Sequence, residues 1–269
     1  MTHPQRVMVI TGASSGFGRE LALLAARAGY RVVVTARRAE RLEELAAEIT
    51  AAGGTALALP GDVTDEAHQQ ALVDETLKRY GRIDMLVNNA GIPLKGGFAG
   101  ETLDALRNQW QTNVTSIITL TRRALPALIG AQGVVVNVGS VAGHFSLPGW
   151  GLYFPSKVAV ASISDALRRE LGPLGVKVCL VEPGPYDTEF SRRAGKAEGG
   201  YAAVDVAAAI LRLGDRPRRR VIMPFWLAPL LAVGSTLTRT LPGLVDLFFA
   251  LRAKQEQRRL EREEMLRHR

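Results

Sequence analysis

The chain has 269 residues, 47% of them apolar and 22% charged, which suits a globular protein with one large core. Its formal net charge is +8 and its pI is near 10. The arginines are spread through most of the helices without interleaved aromatics, which argues against a nucleic-acid face and leaves an anionic cofactor or an anionic membrane as the counterpart.

Short β-branched runs alternate with longer stretches of helical period, the pattern of βαβ units around a parallel sheet. No charged-then-apolar leader precedes Val7-Met8-Val9-Ile10, where the first strand (7–11) is predicted. It runs directly into Thr11-Gly12-Ala13-Ser14-Ser15-Gly16-Phe17-Gly18 and a helix over 17–28. In such a loop Gly12 permits a sharp exit from the strand, Gly16 lets the backbone approach a pyrophosphate, and Gly18 allows the helix to pack closely on the sheet. The second strand (31–36) ends at Ala36-Arg37-Arg38 and leads into a helix over 38–52. A third strand (56–61), a helix over 65–80 and a fourth strand (84–89) follow, the last ending in Asn88-Asn89-Ala90-Gly91. Asn113 lies within a long, interrupted helical stretch (101–129), where a polar residue taken alone reads as a surface or helix-packing group.

The fifth strand (133–139) stops at Ser140, and a helix over 153–171 opens with Tyr153 and Lys157. Residues four apart on a helix rise about 6 Å along one face. A phenol titrates near 10, and an ammonium beside it favours the phenolate, so the pair has the spacing of a proton-transfer centre. The sixth strand (177–182) holds Cys179, read as a small core residue; as the single cysteine it excludes an intrachain disulfide and points to a reducing, cytoplasmic compartment. A helix over 203–213 and a strand over 220–223 complete the pattern, with Gly29, Gly53-Gly54, Gly81 and Gly172 at the expected helix ends. Residues 1–224 therefore read as one doubly wound α/β domain.

Residues 225–269 form an apolar, then charged, helical extension. Pro229, Gly234, Arg239, Pro242, Gly243 and Asp246 interrupt its apolar part, so two short helical pieces are expected rather than a membrane span. Arg252 to Arg269, with seven basic and four acidic residues, reads as a solvated helix. The extension can cover the substrate cleft, enter a subunit interface or make peripheral contact with a membrane.

Over about residues 5–224, the glycine loop, Asn88-Asn89-Ala90-Gly91, Asn113, Ser140, Tyr153-Phe154-Pro155-Ser156-Lys157 and Pro183-Gly184 resemble, in order and spacing, the short-chain dehydrogenase/reductase family. Phe154-Pro155 departs from the small residues usual between its tyrosine and lysine. The resemblance implies a Rossmann-type, seven-stranded parallel sheet with helices on both faces, and hydride transfer between a nicotinamide and a secondary alcohol or ketone. Tyr153 would then be the general acid/base, Lys157 would bind the nicotinamide ribose and lower the Tyr153 pKa, Ser140 would bond the substrate oxygen, and Asn113 would hold a water linking Lys157 to solvent.

By the same resemblance Gly12, Ser14, Ser15, Gly16, Phe17, Gly18, Arg37 and Arg38 would cradle the phosphates, Asp62 and Val63 would contact adenine, and Asn88, Asn89, Ala90 and Gly91 would line the adenosine and ribose side, unless the two asparagines tie strands together. Pro183, Gly184 and Thr188 would pass the nicotinamide. At the end of the second strand an NAD(H) enzyme normally places a carboxylate that would repel a 2′-phosphate; Ala36 followed by Arg37 points instead to NADP(H), with NAD(H) the alternative. His144, Phe145, Trp150, Tyr186 and Phe190, with Ser140, would meet the substrate, and their aromatic character suggests an apolar or lipid-like molecule. No metal is implied. A homodimer or homotetramer through the helices at 101–129 and 153–171 is the family analogy. A reading of another class is a non-catalytic dinucleotide-binding scaffold acting through its tail.

Overall fold

Valine and isoleucine fill the strands because both faces of the sheet are covered, and alternate strand side chains serve alternate cores. A computed structural model of the protein describes residues 5–93, 100–193, 201–243 and 246–247. Seven parallel strands, β1 (Val7–Thr11), β2 (Arg31–Thr35), β3 (Thr55–Ala58), β4 (Met85–Asn88), β5 (Val134–Val138), β6 (Lys177–Pro183) and β7 (Arg220–Met223), form one sheet in the order β3-β2-β1-β4-β5-β6-β7. Met8, Ile10, Val32, Val34, Val136 and Val181 face one core with Leu21 and Ala25 of α1 (Gly16–Arg27), Leu42 and Ile49 of α2 (Ala39–Ala51) and Ile210 of α8 (Ala203–Leu213). Val7, Val9, Val33, Leu86, Val135 and Val178 face the other, with Leu72 of α3 (Glu66–Tyr80), Leu120 and Leu128 of α5 (Ser116–Ala131) and Leu171 at the end of α6 (Tyr153–Leu171).

The interruption expected in 101–129 is a π-helical turn, Gln111–Thr115, joining α4 (Leu103–Trp110) to α5. Its wider coil places Thr112, Asn113 and Val114 inward together. One helix-end expectation needs correction. Gly172 continues as a right-handed 3₁₀ turn, and the left-handed stop falls at Gly175 (φ 85°). Pro126 lies inside α5, which continues to Ala131. A short helix absent from the sequence reading, α7 (Glu189–Arg193), follows β6.

The chain divides into two compact units after Phe225. In the second, Pro229 and Gly234 do not break the chain, since a single α9 (Leu227–Thr240) spans both. Pro229 falls in its first turn, where a missing N–H has no intrahelical acceptor to forgo. Trp226, Leu230, Val233 and Leu237 are exposed at the three- and four-residue spacing of one helix face. The charged stretch 252–269 lies outside the described residues, and among the described residues no helix is long and apolar enough to cross a membrane.

Candidate active site

The strand order reverses between β1 and β4, and crossovers on either side leave a crevice at the carboxyl ends of the strands. A cleft of about 640 Å³ lies there, lined by the loops that follow the strands. The glycine loop is one wall, with Gly12, Ser14, Ser15, Gly16 and Phe17 facing the space. Gly12 has φ +67°, and a Cβ on it would come within 2.8 Å of the Ala90 Cα, so only glycine lets β1 and β4 end this close together. Gly18 does not line the cleft. A Cβ there would meet Asn89 Nδ2 at 2.6 Å and the Gly12 carbonyl at 2.7 Å, so its bareness lets α1 close on the β1–β4 seam.

Asn89 Nδ2 donates to the carbonyls of Thr11 (2.8 Å) and Gly12 (3.3 Å), and Thr11 Oγ1 accepts from the amides of Asn89 and Ala90 (both 3.0 Å). Asn89, Ala90 and Gly91 line the cleft, as expected. Asn88 does not and is corrected: it is buried in the sheet, donating to Thr121 Oγ1 (3.1 Å) and Asn137 Oδ1 (2.9 Å), while Asn137 Nδ2 donates to Ser164 Oγ (2.9 Å). Its amide is consumed in tying β4 to β5 and α5.

At one end of the cleft Arg37, Arg38, Asp62 and Val63 line the space beside Ala36. Arg37 Nη1 lies 3.8 Å from Asp62 Oδ2, and Asp62 Oδ1 accepts from the amide (2.9 Å) and hydroxyl (2.8 Å) of Thr64. Arg38 spans three elements. Nε and Nη2 donate to Ser14 Oγ (3.1 and 2.9 Å), Nη2 also to Ser15 Oγ (2.9 Å), and Nη1 to both carboxylate oxygens of Glu189 (2.7 and 2.9 Å). Arg41 Nη1 adds a third contact to Glu189 at 2.8 Å.

Further along, Ser140, Tyr153 and Lys157 share one wall. Ser140 Oγ accepts from the Ala142 amide (3.1 Å), donates to the Pro183 carbonyl (3.3 Å) and is hydrogen-bonded to the Tyr153 phenol. Lys157 Nζ donates to the Val138 carbonyl (3.0 Å) and lies 5.9 Å from the centre of the Tyr153 ring. Phe154-Pro155 does not displace this geometry: α6 begins at Tyr153, and Pro155 occupies the first turn, where its ring is tolerated. Burial pushes the Tyr153 phenol above its ordinary value, the Ser140 bond partly offsetting it. This is opposite to the downward shift expected from Lys157 alone, because desolvation is the larger effect. The same desolvation lowers Lys157 to about 8.

Asn113 is buried behind this wall. Its Oδ1 accepts from the Ile92 amide (2.8 Å), and Nδ2 donates to the Ile92 carbonyl (3.1 Å) and Ser156 Oγ (3.2 Å). The side chain thus braces the Gly91 loop against α6. A Cβ on Gly91 would lie 3.4 Å from Asn113 Oδ1 and 3.8 Å from Lys157 Nζ, so both atoms border one small gap.

Aromatic rings surround Tyr153: the centroids of Trp150 and Phe190 lie 5.7 Å from its own and that of Phe154 5.8 Å, with Phe145 5.5 Å from Phe154. Phe145, Trp150 and Phe190 line the cleft, as does Tyr186, whose ring packs between Phe17 and Tyr201. Pro183, Gly184 and Thr188 complete that side. His144 is corrected: it does not line the cleft, and its Nε2 lies 3.3 Å from Oε1 of the buried Glu182, whose other oxygen is 3.4 Å from Arg220 Nε. Burial pushes the Glu182 carboxyl up, with Arg220 and His144 opposing. Sequence reasoning missed Glu182 and Glu189; a carboxylate ending the apolar run of β6 was the available signal for the first. Cys179 is buried, and burial raises its thiol.

The donor set fits a dinucleotide: a glycine-lined helix entrance, two arginines at one end and a tyrosine–lysine pair at the other share one cleft. A family model for the short chain dehydrogenases matches residues 6–199. A serine 3-dehydrogenase from Agrobacterium fabrum is 36% identical over 237 residues, covering 82% of this chain and 93% of its own. Dehydrogenase/reductase SDR family member 7B from Bos taurus is 35% identical, covering 94% and 82%. The crystal structure of a short chain dehydrogenase/reductase from Burkholderia phymatum in complex with NAD superposes with a TM-score of 0.79 at 26% identity, covering 86% of this chain and 93% of that one.

Proposed function

The chain belongs to the short-chain dehydrogenase family, and from that premise we propose that this oxidoreductase moves a hydride between NADP(H) and an apolar secondary alcohol or ketone. The observation that carries the reading is the placement of Ser140, Tyr153 and Lys157 on one cleft wall, inside an aromatic cluster. The hydride would come from, or pass to, a nicotinamide held in this cleft. Tyr153 donates its phenolic proton to the carbonyl oxygen as negative charge develops there, and Ser140 bonds the same oxygen. The Lys157 ammonium steadies the phenolate that remains and binds the ribose. Asn113 serves the proton's return, since its Oδ1 and Lys157 Nζ border the gap beside Gly91.

A phenol raised by burial stays protonated at neutral pH and is set to donate. The alkaline limit then falls to Lys157. Its pKa is lowered to about 8, so its charge is present below that pH and lost above it. We expect kcat/KM for the reduced cofactor, which reports the free enzyme, to fall as pH rises through about 8; a profile still flat well into the alkaline range means that the Lys157 ammonium does not support the phenolate.

NADP(H) is supported by Ala36, which brings no carboxylate to the end of β2, and by Arg37 and Arg38 on the cleft wall. Arg37→Ala is expected to weaken NADPH about tenfold while changing NADH less than twofold, read by calorimetric titration at one ionic strength. Equal losses would undo this basis for the choice. NAD(H) is the second reading, favoured by the carboxylates of Asp62 and Glu189 already beside these arginines. The apolar substrate class is supported by Phe145, Leu147, Trp150, Phe154 and Phe190 packed about Tyr153. It is tested by following nicotinamide absorbance with a panel of apolar ketones against short hydroxy-acid substrates such as serine. Association through α5 and α6 is supported by Ile118 and Val158, which are exposed there.

A further inference from the structure

Arg38 donates from every nitrogen of its guanidinium, and its three acceptors are not equivalent. Ser14 and Ser15 present hydroxyls, which can turn from accepting a hydrogen bond to donating one. Glu189 presents a carboxylate, which only accepts and carries charge of the same sign as a phosphate. It also holds Arg41, at 2.8 Å, so one carboxylate engages both guanidiniums near the loop. The group is partly open to solvent, with the Glu189 side chain 25% exposed and that of Arg38 33%. Exchange of one anion for another at this point therefore needs no opening of the core.

Resting on the NADP(H) reading above, we propose that Glu189 determines cofactor choice by competing with the cofactor's 2′-phosphate for Arg38 and Arg41. A phosphomonoester arriving at Arg38 gains donors from Ser14 and Ser15, which rotate toward it, and must displace Glu189, which cannot. The phosphate carries nearly two charges at neutral pH against one on the carboxylate, and it can take a guanidinium through two parallel N–H bonds, whereas Glu189 meets Arg38 through Nη1 alone. Glu189 has the advantage of being tethered at the head of α7. A cofactor lacking the 2′-phosphate leaves the Glu189–Arg38 contact in place. Discrimination between the two cofactors is thus set by the balance of two anions for one cation pair.

The test is calorimetric titration of wild type, Glu189→Gln, Arg38→Ala and the double variant with NADPH and with NADH, thermal midpoints confirming that each variant is folded. Glu189→Gln is expected to bind NADPH about tenfold more tightly and NADH within twofold of wild type. In the Arg38→Ala background the same change should give less than a twofold selective gain. An unchanged NADPH affinity, an equal change for both cofactors, or a full selective gain without Arg38 would each overturn the proposal. The wild-type ratio tests the cofactor reading separately: a wild type that prefers NADH, with a Glu189→Gln variant that gains NADPH selectively, refutes that reading and supports the role of Glu189.

Discussion

Tyr153→Phe is expected to lower turnover by between about 10² and 10⁴-fold, the usual worth of a positioned general acid, while NADPH affinity stays within twofold of wild type. The ring is retained, so its contacts with Trp150, Phe154 and Phe190 persist and the aromatic wall keeps its shape. What is lost is the one phenolic proton that Ser140 and Lys157 are arranged around. Removing a buried hydroxyl also takes away a desolvated polar group, so the thermal midpoint should not fall by more than a few degrees. Steady-state turnover with any ketone the enzyme reduces, read beside cofactor titration, decides the matter. Near-normal turnover would sink the mechanism; loss of cofactor binding together with turnover would make Tyr153 a structural residue.

Gly12→Ala should damage the protein at two levels at once. At φ +67° an alanine is strained, costing about 1 kcal/mol or more, and its Cβ would sit 2.8 Å from the Ala90 Cα and 3.1 Å from the Ala90 nitrogen. These are backbone atoms and cannot swing aside. Overpacking of this kind costs about 1–3 kcal/mol, so the denaturant midpoint should drop measurably. The displaced loop also carries Ser14, Ser15 and Gly16 into the cleft, and dinucleotide affinity should fall by at least about tenfold. A variant of unchanged stability and affinity would mean that the β1 and β4 ends can separate without consequence.

The sheet was readable in the sequence because strands covered on both faces are continuous apolar runs, and Val7–Thr11, Val134–Val138 and Lys177–Pro183 stand out as such. The glycine loop, Ser140, Tyr153 and Lys157 were readable because their spacing is local, within a single turn or a single strand-to-helix passage. Less legible were features made by distant partners. Arg38 and Glu189 are 151 positions apart, and nothing near either residue announces the other. His144 carried a plausible substrate role until the fold set it opposite Glu182, a pairing that only the packing of the Ser140 loop on β6 creates. The π-helical turn at Gln111–Thr115 differs from an α-helix by one residue in its closure, too little to show in apolar periodicity. The expected pKa of Tyr153 failed for a related reason, since spacing reveals a neighbouring charge and not how much water is excluded from both.

The strand order β3-β2-β1-β4-β5-β6-β7 also bears on how the protein is made. β1 emerges first but takes β4 as its inner neighbour, and the cleft at their seam draws walls from Gly12 through Phe190. A nascent chain that has released only β1 to β5 lacks Pro183, Gly184, Thr188 and all of α7, so it has half a crevice. A ligand stabilises a fold according to its affinity for that fold, so a dinucleotide that meets walls from both halves of the chain would stabilise the finished domain more than a chain stalled before this point.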